Sequence, residues 1–127
     1  MFAWEDFLTL ANDIKGRSEE QYKRTAISRA YYAAYCSARD WYVNEWGAIP
    51  KDPNKSRQGS HEAVWDAYQS PRHAGDKRYS KIGARGDSLK RLRVWADYYL
   101  PFPTKLDVQV TIALSTAKNL IDDLKKM

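Results

Sequence analysis

Between Ile27 and Trp46 the chain reads ISRAYYAAYCSARDWYVNEW, its most apolar long stretch, and that stretch carries an arginine at position 29. At about 100° per residue, Ile27, Ala30, Tyr31, Ala34, Tyr35, Ala38, Trp41 and Tyr42 cover one broad face of a helix, and Tyr32, Cys36 and Val43 carry apolar character round another side. Such a helix must be packed on most sides, so it is central to whatever the chain folds into. The alanines let neighbouring helices approach closely, and the tyrosines bring large apolar bodies whose hydroxyls need partners once buried. A charge inside that pattern must be paired or put to use. Arg29 is the first residue to explain.

The remaining segments arrange themselves around this one. Trp4, Phe7, Leu8, Ala11 and Ile14 recur at helical spacing before Gly16, which predicts a first helix over about residues 3–15. Ser18 followed by Glu19, Glu20 and Gln21 has the form of a capping box, so the central helix is expected from about residue 19 to Gly47. GAIPKDPNKSRQG (residues 47–59) is a basic loop, since Pro50 and Pro53 exclude a helix interior. Ser60 is expected to cap a short third helix, HEAVWDAY, with Val64, Trp65 and Tyr68 facing inward. Residues 70–87 read as a polar connection punctuated by Gly75, Gly83 and Gly86. A fourth helix opens at Asp87 or Ser88, with a stripe of Leu89, Leu92, Ala96 and Tyr99, and stops before Pro101. Thr104 with Asp107 resembles a capped start of a last helix carrying Leu106, Val110, Ala113, Ala117, Leu120 and Leu124 to about residue 125. Nothing reads as a strand. The expectation is one all-α domain over residues 1–127, an up-and-down antiparallel bundle of about five helices.

With 127 residues, a chain of this kind buries roughly two thirds of its unfolded surface without help from disulfides or metals. One cysteine, Cys36, cannot pair within the chain and reads as a small hydrophobe, no Cys/His group has zinc spacing, and no cofactor signature is present. Acidic residues at the N-terminus and the absence of an apolar run near the ~20 residues that span a bilayer point to a soluble protein of a reducing, cytoplasmic compartment. The net charge of +5 is unevenly placed. Residues 1–49 carry six Lys/Arg against seven Asp/Glu, residues 50–93 eleven against five, and residues 94–127 four against four. A basic middle third favours a polyanion or a phosphorylated ligand, with Lys55, Arg57, Arg78, Lys81, Arg85 and Arg91 as the candidate contacts.

Three short runs carry a resemblance. Arg29-Ala30-Tyr31-Tyr32-Ala33-Ala34-Tyr35, Ser60-His61, and Leu92-Arg93 with Ala96-Asp97-Tyr98 resemble, in order and spacing, signatures of the HEPN superfamily, and most closely its small stand-alone prokaryotic members. That resemblance implies an up-and-down helical bundle, a homodimer, and an RNA or nucleotide ligand. It also implies a toxin–antitoxin, defence or RNA-processing setting, with a nucleotidyltransferase or an antitoxin as partner. Many members resemble metal-independent endoribonucleases that place an Arg-x4–6-His motif in a cleft across the dimer. Arginine there stabilises charge on the phosphate under attack, and histidine moves the proton.

On that pattern the candidate catalytic residues are Arg29, His61, Arg93, Asp97 and Tyr98, and no metal is implicated. The chain departs from the motif at one point. With four residues between, Arg93 is followed by Tyr98, and with five between, Arg91 is followed by Asp97; neither is histidine. A carboxylate beside an arginine holds its proton poorly, so Asp97 is an inadequate substitute base. Two readings of Arg29, Arg93 and Asp97 follow: a phosphate-binding cleft between the second and fourth helices, or a buried salt-bridge network joining them. His61, at a helix N-terminus, is either a phosphate ligand or a solvated first-turn residue, and His73 is expected to be exposed in its polar loop. Gly83 and Gly86, among Lys81 and Arg85, have only a loose likeness to a phosphate loop.

Overall fold

A computed structural model describes all of residues 1–127. Five helices form: α1 (Asp6–Ile14), α2 (Glu20–Trp46), α3 (Ser60–Tyr68), α4 (Lys77–Tyr98) and α5 (Leu106–Lys125), with a single 3-10 turn at Pro71–His73 and no strand. The chain is an all-α bundle around α2, whose Ala26, Ile27, Ala30, Tyr31, Ala33, Ala34, Ala38 and Tyr42 are completely buried. Gly47 ends α2 in the left-handed conformation at φ 88°, its N–H donating back to the Val43 carbonyl at 2.8 Å. That conformation carries no Cβ penalty in glycine, which is why the helix stops there.

Side-chain contacts give the helix directions. Arg24, near the start of α2, donates to the carbonyls of Trp95, Ala96 and Tyr99 at the end of α4, whereas Trp46, at the end of α2, donates to the Tyr79 hydroxyl at the start of α4. These two helices are therefore antiparallel. A Lys23–Asp107 ion pair joins the starts of α2 and α5, and Lys125 at the end of α5 meets Glu5 at the head of α1 at 2.9 Å. Thus α1, α2, α4 and α5 alternate in direction. The short α3 is the exception: it begins beside Tyr31, through His61, and ends beside Ala38, whose carbonyl accepts the Tyr68 hydroxyl at 2.6 Å. It runs parallel to α2, so residues 47–59 carry the chain back along that helix.

Several sequence expectations need correction. Helix α4 starts at Lys77, ten residues before Asp87, because the Asp76 side chain accepts from the Arg78 N–H at 3.0 Å and caps it. Gly83 and Gly86 thus lie inside a helix and are not a phosphate loop. They are where α3 presses on α4: a Cβ built on Gly86 would sit 2.1 Å from Cε3 of Trp65, and one on Gly83 would sit 3.0 Å from the Trp65 carbonyl. Ser18, Ser60 and Thr104 do not cap; Glu19, Gly59 and Lys105 hold the N-cap positions of α2, α3 and α5, none with a side-chain cap bond. Tyr99 is 48% exposed and falls off the buried stripe of α4, because the helix has ended at Tyr98.

His73 is the largest departure. It is buried at 6% exposure, with Nε2 2.8 Å from the Tyr42 hydroxyl and its ring stacked 4.0 Å from that of Tyr79. Its neighbours come from α2 and α4, which no local pattern in the 70–87 segment reports. No helix is long and apolar enough to cross a membrane.

Candidate functional site

The tyrosines of α2 form the floor of the site. Tyr31, Tyr32 and Tyr35 follow one another along the helix at i, i+1 and i+4, which turns Tyr31 into the core and leaves Tyr32 half-exposed. His61, in the first turn of α3, stacks on Tyr35 with ring centroids 4.0 Å apart and planes 7° apart, and its Nδ1 lies 2.7 Å from the Tyr31 hydroxyl. Its Nε2 has no partner in the chain. Trp65, one turn further along α3, donates its indole N–H to the same hydroxyl at 3.2 Å. These bonds answer the demand for partners that buried tyrosines make.

Cations surround this floor. The guanidinium carbon of Arg93, from α4, lies 5.5 Å from the Tyr31 ring centre, 5.8 Å from Tyr32 and 6.0 Å from Tyr98. Arg29 also lies over Tyr32, 5.0 Å from that ring and 4.9 Å from Phe7 of α1. Arg39 lies over Tyr35 at 5.7 Å, held by Asp40 at 3.0 Å. Lys90, one turn before Arg93 on α4, faces His61 closely enough to disfavour its protonation. Burial is the larger cause, and Arg93, Lys90 and Arg39 add to it, so the His61 imidazole is held below its ordinary pKa and is neutral near pH 7.

Neutralisation is incomplete. Arg29 makes no ion pair and rests only against aromatic faces. Arg93 has a single carboxylate neighbour, Asp97 on its own helix at 3.5 Å, and its Nε is buried with no hydrogen-bond partner. Asp97 in turn accepts from the Ser28 hydroxyl at 3.4 Å. The salt-bridge network considered for these three residues therefore does not form: Arg29 is outside it, and no ion pair of Arg93 or Asp97 crosses from α4 to α2.

Four of the five candidate catalytic positions thus meet around one tyrosine floor: Arg29 from α2, His61 from α3, and Arg93 and Asp97 from α4. Tyr98, 74% exposed, stands at the rim beside Arg93. The basic candidates do not join them. Lys55 is taken up by Glu62 and Asp66, each at 2.8 Å, Arg78 by Asp76 at 2.6 Å, and Arg85 by an ion pair to Asp123 of α5. Arg91 lies over Trp95 at 5.8 Å, and Arg57 and Lys81 are exposed without a carboxylate partner. Sequence reading missed Arg39, Lys90 and the floor itself. Lys90 was legible, since it stands three residues before Arg93 on a helix and shares its side; Arg39 is one turn beyond Tyr35 in the same way.

No family model, curated protein or solved structure matches the chain.

Proposed function

We propose that the tyrosine floor between α2, the start of α3 and the second half of α4 is a phosphate-binding site, and that the protein is a small HEPN-like module that binds RNA or a nucleotide there. One observation carries this reading. Two guanidiniums, Arg29 and Arg93, share the single ring of Tyr32, one without any carboxylate and the other without a hydrogen bond for its buried Nε. Like charges gathered over a low-dielectric aromatic surface repel one another unless an anion joins them. A phosphate supplies that anion, and the exposed Tyr98 offers a base a ring to stack on beside it. A degenerate catalytic motif, a homodimer and a nucleotidyltransferase or antitoxin as partner complete the proposal on the strength of the resemblance.

A metal-independent endoribonuclease is the second reading, favoured by the approach of His61 to Arg93 across two helices in place of the missing motif histidine. One experiment separates the two. Purified protein and its Arg93→Ala variant are incubated with labelled total RNA in EDTA. Retarded but intact RNA, with retention weakened about tenfold or more in the variant, is the expected result. EDTA-resistant cleavage that disappears in Arg93→Ala overturns the binding-only reading, and the absence of both retention and cleavage overturns both.

A further inference from the structure

The hydrogen bonds beneath His61 have a direction. An indole N–H can only donate, so Trp65 Nε1 gives its proton to the Tyr31 oxygen at 3.2 Å. Tyr31 is completely buried, and its own hydroxyl proton has one acceptor within reach, Nδ1 of His61 at 2.7 Å. If Nδ1 carried a proton instead, it would have to donate to Tyr31, and the phenolic proton would be stranded in the core at a cost comparable to a lost buried hydrogen bond. The chain Trp65 to Tyr31 to His61 therefore leaves Nδ1 as the acceptor and puts the imidazole proton on Nε2. That nitrogen has no partner in the protein.

We propose that Trp65 and Tyr31 are positioning residues that lock His61 in its neutral, Nε2-protonated tautomer, so that His61 serves the site as a hydrogen-bond donor to a phosphate oxygen and does not accept a proton. Its role in binding rests on the reading of this face as a phosphate site; the tautomer itself does not. The charges that act on the ring favour the neutral state, Arg39 from α2 and Arg93 and Lys90 from α4, and the rings of Tyr31, Tyr32 and Tyr35 pack against it. A general base at this position would need a free lone pair on Nε2, which the relay withholds. His61 then resembles a fixed donor in an anion cradle, and proton transfer to or from an attacked hydroxyl is left without a residue to perform it.

The test is direct because the chain has only two histidines. Long-range proton–nitrogen correlation spectra of the labelled protein, with His61→Gln to assign the signals, should show His61 protonated on Nε2 alone at about pH 7.5, with its titration displaced below that of an ordinary imidazole. Retention of a short fluorescein-labelled oligouridylate, whose phosphodiester charge does not change near neutrality, should then vary within about twofold between about pH 8 and about pH 7. In Tyr31→Phe the donor to Nδ1 is gone; the imidazole proton should then be shared between Nδ1 and Nε2, and oligouridylate retention should weaken severalfold. A proton on Nδ1 of the neutral wild-type imidazole overturns the inference, and that spectrum decides it even if Tyr31→Phe does not fold. Failure of the wild type to retain oligouridylate overturns the phosphate role together with the site reading, leaving the tautomer to the spectrum.

Discussion

Gly86 lies under the indole of Trp65 so closely that a Cβ there would be 2.2 Å from Cδ2 and 2.1 Å from Cε3. The contact fixes how near α3 comes to α4, and through Trp65 it fixes the height of the Tyr31 hydroxyl and the tilt of His61.

Gly86→Ala sets two effects against each other. Helix propensity favours alanine inside α4 by about 1 kcal/mol, whereas overpacking against a buried indole costs about 1–3 kcal/mol or more. The clash should win, lowering the denaturation midpoint, because the indole that a Cβ would meet is completely buried. A variant more stable than the wild type would mean that α3 is not seated on α4 as described.

Arg24 closes the C-terminus of α4, with Nη1 at 3.2 Å from the Trp95 carbonyl, 2.9 Å from Ala96 and 2.8 Å from Tyr99. These are orphan carbonyls of a helix end, and a cation there also complements the helix dipole. Arg24→Met keeps most of the apolar stem and should cost about 2–3 kcal/mol by chemical denaturation. Glu20→Gln removes only the exposed partner at 2.8 Å and should cost less than about 0.5 kcal/mol. Equal losses in the two variants would put the worth of Arg24 in its ion pair.

Salt dependence reads the number of cations on the ligand. Single-stranded RNA held by Arg29, Lys90 and Arg93 should show a slope of log affinity against log salt near about −2, and each of Arg29→Ala and Arg93→Ala should flatten it by about 0.7. Lys55→Ala should leave the slope unchanged, since Lys55 already holds Glu62 and Asp66. A slope that falls with Lys55→Ala and not with Arg93→Ala would move the site to the 47–59 loop.

Acid should weaken the fold through His73. Burial first, and Arg72 second, hold this imidazole below its ordinary value of 6.5. The unfolded chain therefore binds a proton that the native state resists. The corresponding stability is complete above about pH 6.5 and declines as the pH falls from there through the native value. His61 adds a loss of the same sign. Thermal midpoints should drop as the pH is lowered from about 7 to about 5, a window above that in which Asp76 and Asp122, both held below their ordinary 3.8, would contribute. The drop should shrink in His73→Gln; an undiminished one would assign the acid sensitivity elsewhere.

Apolar periodicity along the chain dictates the elements whose burial follows a period. Helix α2, with its alanines and tyrosines, its stop at Gly47, and the inward Val64, Trp65 and Tyr68 of α3 were legible because a helix that buries one face must repeat apolar residues every three to four positions. The first half of α4 was not legible. KRYSKIGARG is polar, and its glycines read as breakers, yet Ile82, Gly83, Gly86 and Leu89 make a buried stripe in which the small residues are contacts. A glycine chosen for the absence of a side chain looks, in one dimension, the same as a glycine chosen for its torsion angles.

The site divides in the same way. Arg29, His61, Arg93 and Asp97 could be named from their motifs, but whether Arg29 joined a salt bridge or stood free over Tyr32 depended on helix packing. His73, expected at the surface, is buried by residues from α2 and α4 that lie far along the chain. Local periodicity reports which face of a segment avoids water. Which nitrogen of a histidine keeps its proton is decided by groups 30 or more residues distant, and only the assembled bundle brings those within hydrogen-bond reach.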